Sequence, residues 1–405
     1  MNRSILRPEL HLVLYVLLLI FTPFLMLQNY LQSAVGMVSE AMFTVRGFDI
    51  PYVLLTFIAV LIVALLVSSR HLTQRRLLSI GVILGLLWVG QQSSDFYFNH
   101  KFYELQHNWH YFAYAIFVYM SWRVFSRRGL ELDQVILYTF LGAISISTFD
   151  EGIQVFISDR VFDMSDIGKD SWGSLLGLIF MIFTVHDRCL FEGKWGIARP
   201  KFKDYLESPA SLLSLAILFT YIFLIVASNL TDTSYWVILM GIVIVIFMLI
   251  FLVIHFLQWK VFRRIILSVL ALLLLAQGVA FYHYYGSGIV HNQVGLTIYR
   301  GIPIPFFDIM IFPDGRFRLV DKKDYFNRRD QQTIKKHAGD ILLIGTGSSG
   351  HGGVGFPHDE VVQFVFNEHT GRALQIIRLK TPEACDLFNR LQEDGKDVLF
   401  IINNS

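Results

Sequence analysis

Residues 148 to 173 read TFDEGIQVFISDRVFDMSDIGKDSWG, and between Asp150 and Asp170 they carry six carboxylates against two cations, Arg160 and Lys169. Carboxylates accept hydrogen bonds from amines and sugar hydroxyls, ligate divalent cations, and serve as general bases. Ahead of them, HNWHYFAY supplies His107, His110 and Tyr114 at intervals of three and four residues, which is one face of a helix. Apolar runs flank the acidic stretch on both sides. Charged groups that persist beside a membrane core line a site, a cavity or a solvated loop.

Helices have to position these groups. If the chain is helical from Asp166 onward, then Asp166, Asp170, Gly173 and Gly177 fall at offsets of 0, 4, 7 and 11 and form one narrow stripe. Glycines at that spacing allow close helix approach in lipid, so the stripe should face a bundle. The preceding helix ends in Asp150, Glu151 and Gln154, of which the first and last are one turn apart. Three helices therefore converge His107, His110, Asp150, Glu151, Gln154, Asp166 and Asp170 as candidate ligand-binding groups, with Arg160 on the connection between the second and third and Gly173 and Gly177 as packing positions.

The 405 residues are 54% hydrophobic and only 16% charged, which excludes an ordinary soluble enzyme. Candidate spans lie near 10–28, 51–69, 77–92, 109–122, 132–149, 171–186, 211–228, 235–256 and 265–285. With the N-terminus inside, sixteen Lys and Arg fall on inner segments and four on outer loops, so the orientation is N-terminus cytoplasmic and C-terminus outside. The fold class expected is thus a multi-pass α-helical membrane protein of about nine transmembrane helices with a small C-terminal α/β domain. Composition divides it into a helical bundle (1–186), a basic cytoplasmic loop with three further apolar helices (187–288), and a soluble domain on the outer side (289–405). Trp109, Trp122, Trp172 and Trp236 read as interfacial anchors.

In the last part, short β-branched and aromatic segments alternate with turn signals. Thr381-Pro382 reads as an N-cap followed by proline at the first helical position, and DVLFII as a closing buried strand. The run DILLIGTGSSGHGGVGFP contains G-x-G-x-x-G at Gly345, Gly347 and Gly350, but three more glycines and Pro357 follow. A dinucleotide site needs a helix to start at that turn, so the run reads as a tightly turning loop. Cys189 and Cys385 fall on opposite sides of the membrane and form neither a disulfide nor a metal site.

Two resemblances accompany these residues. IMIFPDGRFRLV, DILLIGTG and TPEACDLFNRLQEDGKDVLFII resemble a family of small α/β domains that includes the third mitochondrial complex I assembly factor, over about residues 294–405. That resemblance implies a domain for assembly or binding, with a protein partner through 289–405. Residues 75–186 resemble the VanZ-like membrane family, through His110-Tyr111 at the head of a helix and through D-E-x-x-Q, Arg, then D-x-x-x-N-x-x-G-x-x-x-G. Asp150, Glu151, Gln154, Arg160, Asp166, Asp170, Gly173 and Gly177 match, with Asp170 where asparagine is usual and Gln106-His107 where Asp-Lys is usual.

The resemblance implies a role in the cell envelope and in susceptibility to teicoplanin-type glycopeptide antibiotics. The expected function is binding of a lipid head group, a lipid-linked cell-wall precursor or a lipoglycopeptide at the outer face of a bacterial cytoplasmic (inner) membrane. Catalysis is the alternative, as a metal-dependent hydrolase or transferase on a lipid-linked substrate; a scaffold acting through the C-terminal domain is another. No organic cofactor and no nucleic acid is expected, and a divalent cation is the one inorganic group the donors would suit.

Overall fold

The computed structural model describes residues 8–26, 34–35, 37–39, 41–45, 48–67, 73–94, 105–156, 162–191, 196–229, 236–305, 307–320, 334, 339–350, 371 and 373–404. The chain divides into two compact units, one reaching Trp259 and the other formed mainly by Lys260–Ser405.

The first unit is helical: α1 (Pro8–Met26), α2 (Tyr52–Val67), α3 (Gln74–Ser93), α4 (Leu105–Arg127), α5 (Leu132–Gln154), α6 (Met164–Ile179), a short α7 (Phe202–Leu206), α8 (Pro209–Asn229) and α9 (Trp236–Phe256). A small antiparallel hairpin, β1 (Met42–Val45) with β2 (Phe48–Pro51), lies between α1 and α2, where hydropathy marks only a connection. With α10 (Lys260–Tyr284) of the second unit, nine of the helices among the described residues occupy the nine apolar stretches. Among the described residues, α5, α8, α9 and α10 are the helices long and apolar enough by themselves to cross a membrane. Buried polar residues lower the hydropathy of α6, and Gln74, Arg75 and Arg76 open α3.

Local chemistry sets the helix starts. Thr73 accepts the N–H of Arg76 at the head of α3, and Glu131 forms a reciprocal cap with Gln134 at the head of α5. The central element is α6, where every residue except Asp166 is buried, with Trp172, Leu175 and Leu178 in a core shared with Val118, Ile136 and Leu213. Beyond Ile179 the helix widens into a π-turn over Phe180–Val185. Trp122 and Trp172 are corrected from interfacial anchors to buried side chains. Trp172 covers Gly90 of α3, and its indole N–H donates to the Leu86 carbonyl at 3.0 Å, while Trp122 stacks on His186.

In the second unit, α10 has no buried residue. An antiparallel meander follows, β3 (Ile289–Gln293), β4 (Leu296–Tyr299) and β5 (Ile302–Pro305). A five-stranded mixed sheet comes next, from β6 (Asp308–Ile311), β7 (Phe317–Val320), β8 (Ile341–Gly345), β9 (Gln375–Leu379) and β10 (Val398–Ile402), in the order β7-β6-β10-β8-β9. Helix α11 (Thr381–Glu393) connects β9 to β10, and β8 pairs in parallel with both. Because β8 and β10 are covered on both faces, ILLIG and VLFII are buried at every residue. Alternate residues feed two cores: Leu343 and Phe400 meet Phe388 of α11, whereas Leu342 and Leu399 pack with Ile334 on the other face.

The glycine run leaves β8 at Gly345, and residues 346–350 contain no helix; residues 351–370 lie outside those described. Thr381 is not the cap of α11, which is Lys380, but stands in its first turn. Its hydroxyl is taken elsewhere, accepting the Gly347 N–H at 2.9 Å and donating to the Asn403 carbonyl at 2.8 Å. One side chain thus ties the ends of β8 and β10 to the start of α11. Cys189 is exposed and Cys385 buried, and both are free thiols.

Candidate functional site

Three helix segments meet in the first unit: the first turns of α4, the last turns of α5 and the start of α6. Gly173 and Gly177 make the approach of α4 to α6 close. A Cβ on Gly173 would stand 2.7 Å from the Tyr111 Cα, and one on Gly177 would stand 2.9 Å from the Ala115 Cα. Gly168 plays the same part toward α8, against the Leu224 backbone. At such short separation even compact side chains on facing helices reach one another.

Asp170 is the hub. Its Oδ1 lies 2.8 Å from His110 Nδ1 on α4, and its Oδ2 accepts the Ser147 hydroxyl of α5 at 2.6 Å. The other nitrogen of the imidazole, Nε2, is 3.8 Å from Asp166 Oδ1, to which Lys169 Nζ also donates at 2.9 Å. Glu151 holds the α5–α6 connection: Oε1 accepts the Gln154 amide at 2.7 Å, and Oε2 accepts the Asp163 backbone N–H at 3.0 Å. Asp163 in turn caps α6 by accepting the Ser165 N–H at 2.7 Å. Burial, reinforced by the Asp166 carboxylate, pushes the Asp163 carboxyl up to about 6, with Lys169 and the Ser165 N–H opposing.

Glu151, Lys169 and Asp170 are each 3% exposed or less. Burying such charges is costly unless each is paired. Pairing here is incomplete: Asp150, within electrostatic range of Asp170 and His110, has a buried Oδ1 with no hydrogen-bond partner among the described residues. Among the described residues, five carboxylates, Asp150, Glu151, Asp163, Asp166 and Asp170, are thus gathered with one lysine and one imidazole. Among the described residues, no group of three or more His, Cys, Asp or Glu is arranged to hold a metal ion.

Of the candidates read from sequence, the structure brings together His110, Asp150, Glu151, Gln154, Asp166 and Asp170, with Gly173 and Gly177 beneath them. The His107 side chain and Arg160 lie outside the described residues. Tyr111, next to His110, is buried toward α3, with its hydroxyl 3.2 Å from the Ser94 hydroxyl. Sequence reasoning missed Ser147 and Asp163 as members. Extending the α5 face back by one turn from Asp150 and Glu151 reaches Ser147, and Asp163 precedes α6 as an N-cap type.

No family model and no curated protein matches the chain. Among solved structures, a protein named MT938 is similar at 17% identity, across 29% of this chain and 97% of that chain, with a TM-score of 0.22; a likeness that slight carries no argument.

Proposed function

We propose that the chain is a nine-span protein of a bacterial cytoplasmic membrane, N-terminus inside and C-terminal domain outside. Its acidic cluster would bind the amine- or hydroxyl-bearing head of a lipid, a lipid-linked cell-wall precursor or a lipoglycopeptide, and so alter susceptibility to teicoplanin-type glycopeptides. The observation that carries the reading is the buried Asp150 Oδ1, which has no donor among the described residues although it lies in a cluster where five described carboxylates surround one lysine and one histidine. An ammonium group or sugar hydroxyls would supply the missing donors, whereas a phosphate would add like charge. The VanZ-like motif residues support the same reading, since six of them stand in this cluster. An apolar cavity of about 350 Å³, lined by Phe57, Leu87 and Phe112 among others, offers room for a hydrocarbon chain in the same unit.

The geometry favours Asp150→Asn as the functional variant, because Glu151 and Asp170 hold helices together and Asp150 Oδ1 does not. Binding of fluorescent teicoplanin to purified protein, and teicoplanin susceptibility of expressing cells, are the measurements. The variant should fold, lose about tenfold in affinity, as expected for one charge-assisted hydrogen bond, and lose the effect on susceptibility. A folded Asp150→Asn protein that binds like the wild type would overturn the assignment.

A further inference from the structure

The second unit contains a polar pocket of about 470 Å³ just beyond the end of α10, lined by Gly286, Ser287, Arg300, Asn389, Gln392 and Lys396 among others. Arg300 occupies an unusual place. It and Gly301 form the two-residue turn between β4 and β5, with Tyr299 paired to Ile302 and φ of +49° and +77°. Turns with both residues left-handed ordinarily carry Asn, Asp or Gly at the first position, so the hairpin itself does not call for arginine.

The surroundings hold the guanidinium in one place. Its Cζ stands 5.2 Å from the Tyr299 ring and 6.0 Å from the Tyr285 ring, and Nη1 donates to the Gly315 carbonyl at 3.3 Å. The group presses closely on Gly315, itself at φ +80°, so that a side chain there would be strained and would displace the guanidinium. Nε is buried without an acceptor, and among the described residues no carboxylate forms an ion pair with the side chain. A guanidinium held beside two aromatic rings and not neutralised by a described carboxylate is prepared to donate paired hydrogen bonds to two oxygens of an oxyanion such as phosphate.

Its level along α10 is fixed as well. Gln277 donates to the Gly301 carbonyl at 2.8 Å, and a Cβ on Gly301 would stand 2.6 Å from the Ala280 carbonyl. The turn is therefore seated on the last turns of an apolar helix whose end reads Phe281-Tyr282-His283-Tyr284-Tyr285. Aromatic residues in such a run mark the head-group level of a membrane.

We infer that this pocket is a phosphate site, with Arg300 as the fixed donor and Lys396 as a cation at its exposed rim. Glu393 and Asp397 also line the pocket, and their charges balance the two cations. A phosphodiester, alone or beside an amine, suits that balance better than a dianionic monoester. The site is independent of the acidic cluster and of the function proposed for it.

The test uses full-length protein in detergent, titrated with dioctanoyl phosphatidylglycerol, dioctanoyl phosphatidylethanolamine, inorganic phosphate and the neutral dioctanoylglycerol, followed by microscale thermophoresis. The phospholipids should saturate and dioctanoylglycerol should not. Arg300→Gln should weaken phospholipid binding by about tenfold, the scale of one charge-assisted hydrogen bond. Lys396 is exposed, so Lys396→Gln will fold, and it should weaken binding by about threefold in low salt and less at high salt. This second variant decides the matter if Arg300→Gln does not fold. Saturation by inorganic phosphate alone, with the same dependence on these residues, would support the site and assign it to soluble phosphate compounds. Binding unaffected by either variant, or equal binding of dioctanoylglycerol, would overturn it.

Discussion

One added methyl group at Gly173 tests how the acidic cluster is held. Its Cβ would meet the Tyr111 Cα at 2.7 Å, the Tyr111 carbonyl oxygen at 2.9 Å and the His110 carbonyl oxygen at 3.0 Å. All three atoms are α4 backbone, so no rotamer change relieves the contact. Carbon atoms rest at about 3.5–4.0 Å, so α4 and α6 must separate locally by roughly 1 Å. Overpacking of this kind costs about 1–3 kcal/mol. The same movement stretches the 2.8 Å contact between His110 and Asp170 past hydrogen-bond range, adding about 1–2 kcal/mol. Alanine recovers about 1 kcal/mol through helix propensity, leaving a net loss of about 1–4 kcal/mol. Gly85 on α3 and Gly152 on α5 are the controls, since a Cβ on either meets nothing within 4 Å. Alanine there should be neutral or stabilise by up to about 1 kcal/mol. Steric trapping in bilayers, which reports unfolding free energy directly, should separate Gly173→Ala from Gly85→Ala by about 2–5 kcal/mol. If the two variants agree to within about 0.5 kcal/mol, the close helix approach is not what holds the cluster.

The helical stretches were readable because long apolar runs stand out by composition, and the described helices coincide with those runs to within a few residues at most ends. The inward face of α6 was readable for a different reason. Glycine and aspartate at helical spacing have few roles in lipid besides close packing and polar contact, so Asp170, Gly173 and Gly177 marked one line. What spacing could not supply was the partner of each group. Ser147 binds Asp170 across helices, Lys169 turns back to Asp166 on its own helix, and Asp163 acts through its backbone as well as its side chain. Such pairings depend on rotation and offset between helices, which no single-helix periodicity contains. Trp172 shows the same limit: an aromatic near a span end suits the interface, until a glycine on a facing helix opens room for it inside.

In the C-terminal unit, β8 and β10 were legible as unbroken apolar runs, because strands covered on both faces lose the alternation of half-buried ones. The glycine run was legible as a turn but not as a docking point for Thr381, which is 34 residues further along the chain. Arg300 gave no sequence signal at all. Its neighbours in the fold, Tyr285, Gly315 and Gln277, are far from it in sequence, and Arg-Gly is not a preferred turn pair.

Two further outcomes follow. Phe156 is 88% exposed and Glu393 is exposed, so cysteines at both positions should react with an impermeant maleimide in intact cells, while native Cys189 reacts only after lysis. The reverse pattern would place the acidic cluster on the inner face. Asp163 makes a pH dependence of its own. Its carboxyl sits at about 6 when folded against an ordinary 3.8, so the folded state holds the proton more tightly. Below pH 3.8 both states are protonated and this contribution to stability is complete; it is lost as pH rises through about 6, and above that both states are ionised. Asparagine can still accept the Ser165 N–H but cannot ionise, so Asp163→Asn should remove that decline, gaining up to about 3 kcal/mol relative to wild type between pH 4 and pH 7. Thermal unfolding of both proteins in detergent across that range reads the difference. A gain that is the same at pH 4 and pH 7 would mean that the change acts through the cap and not through the proton.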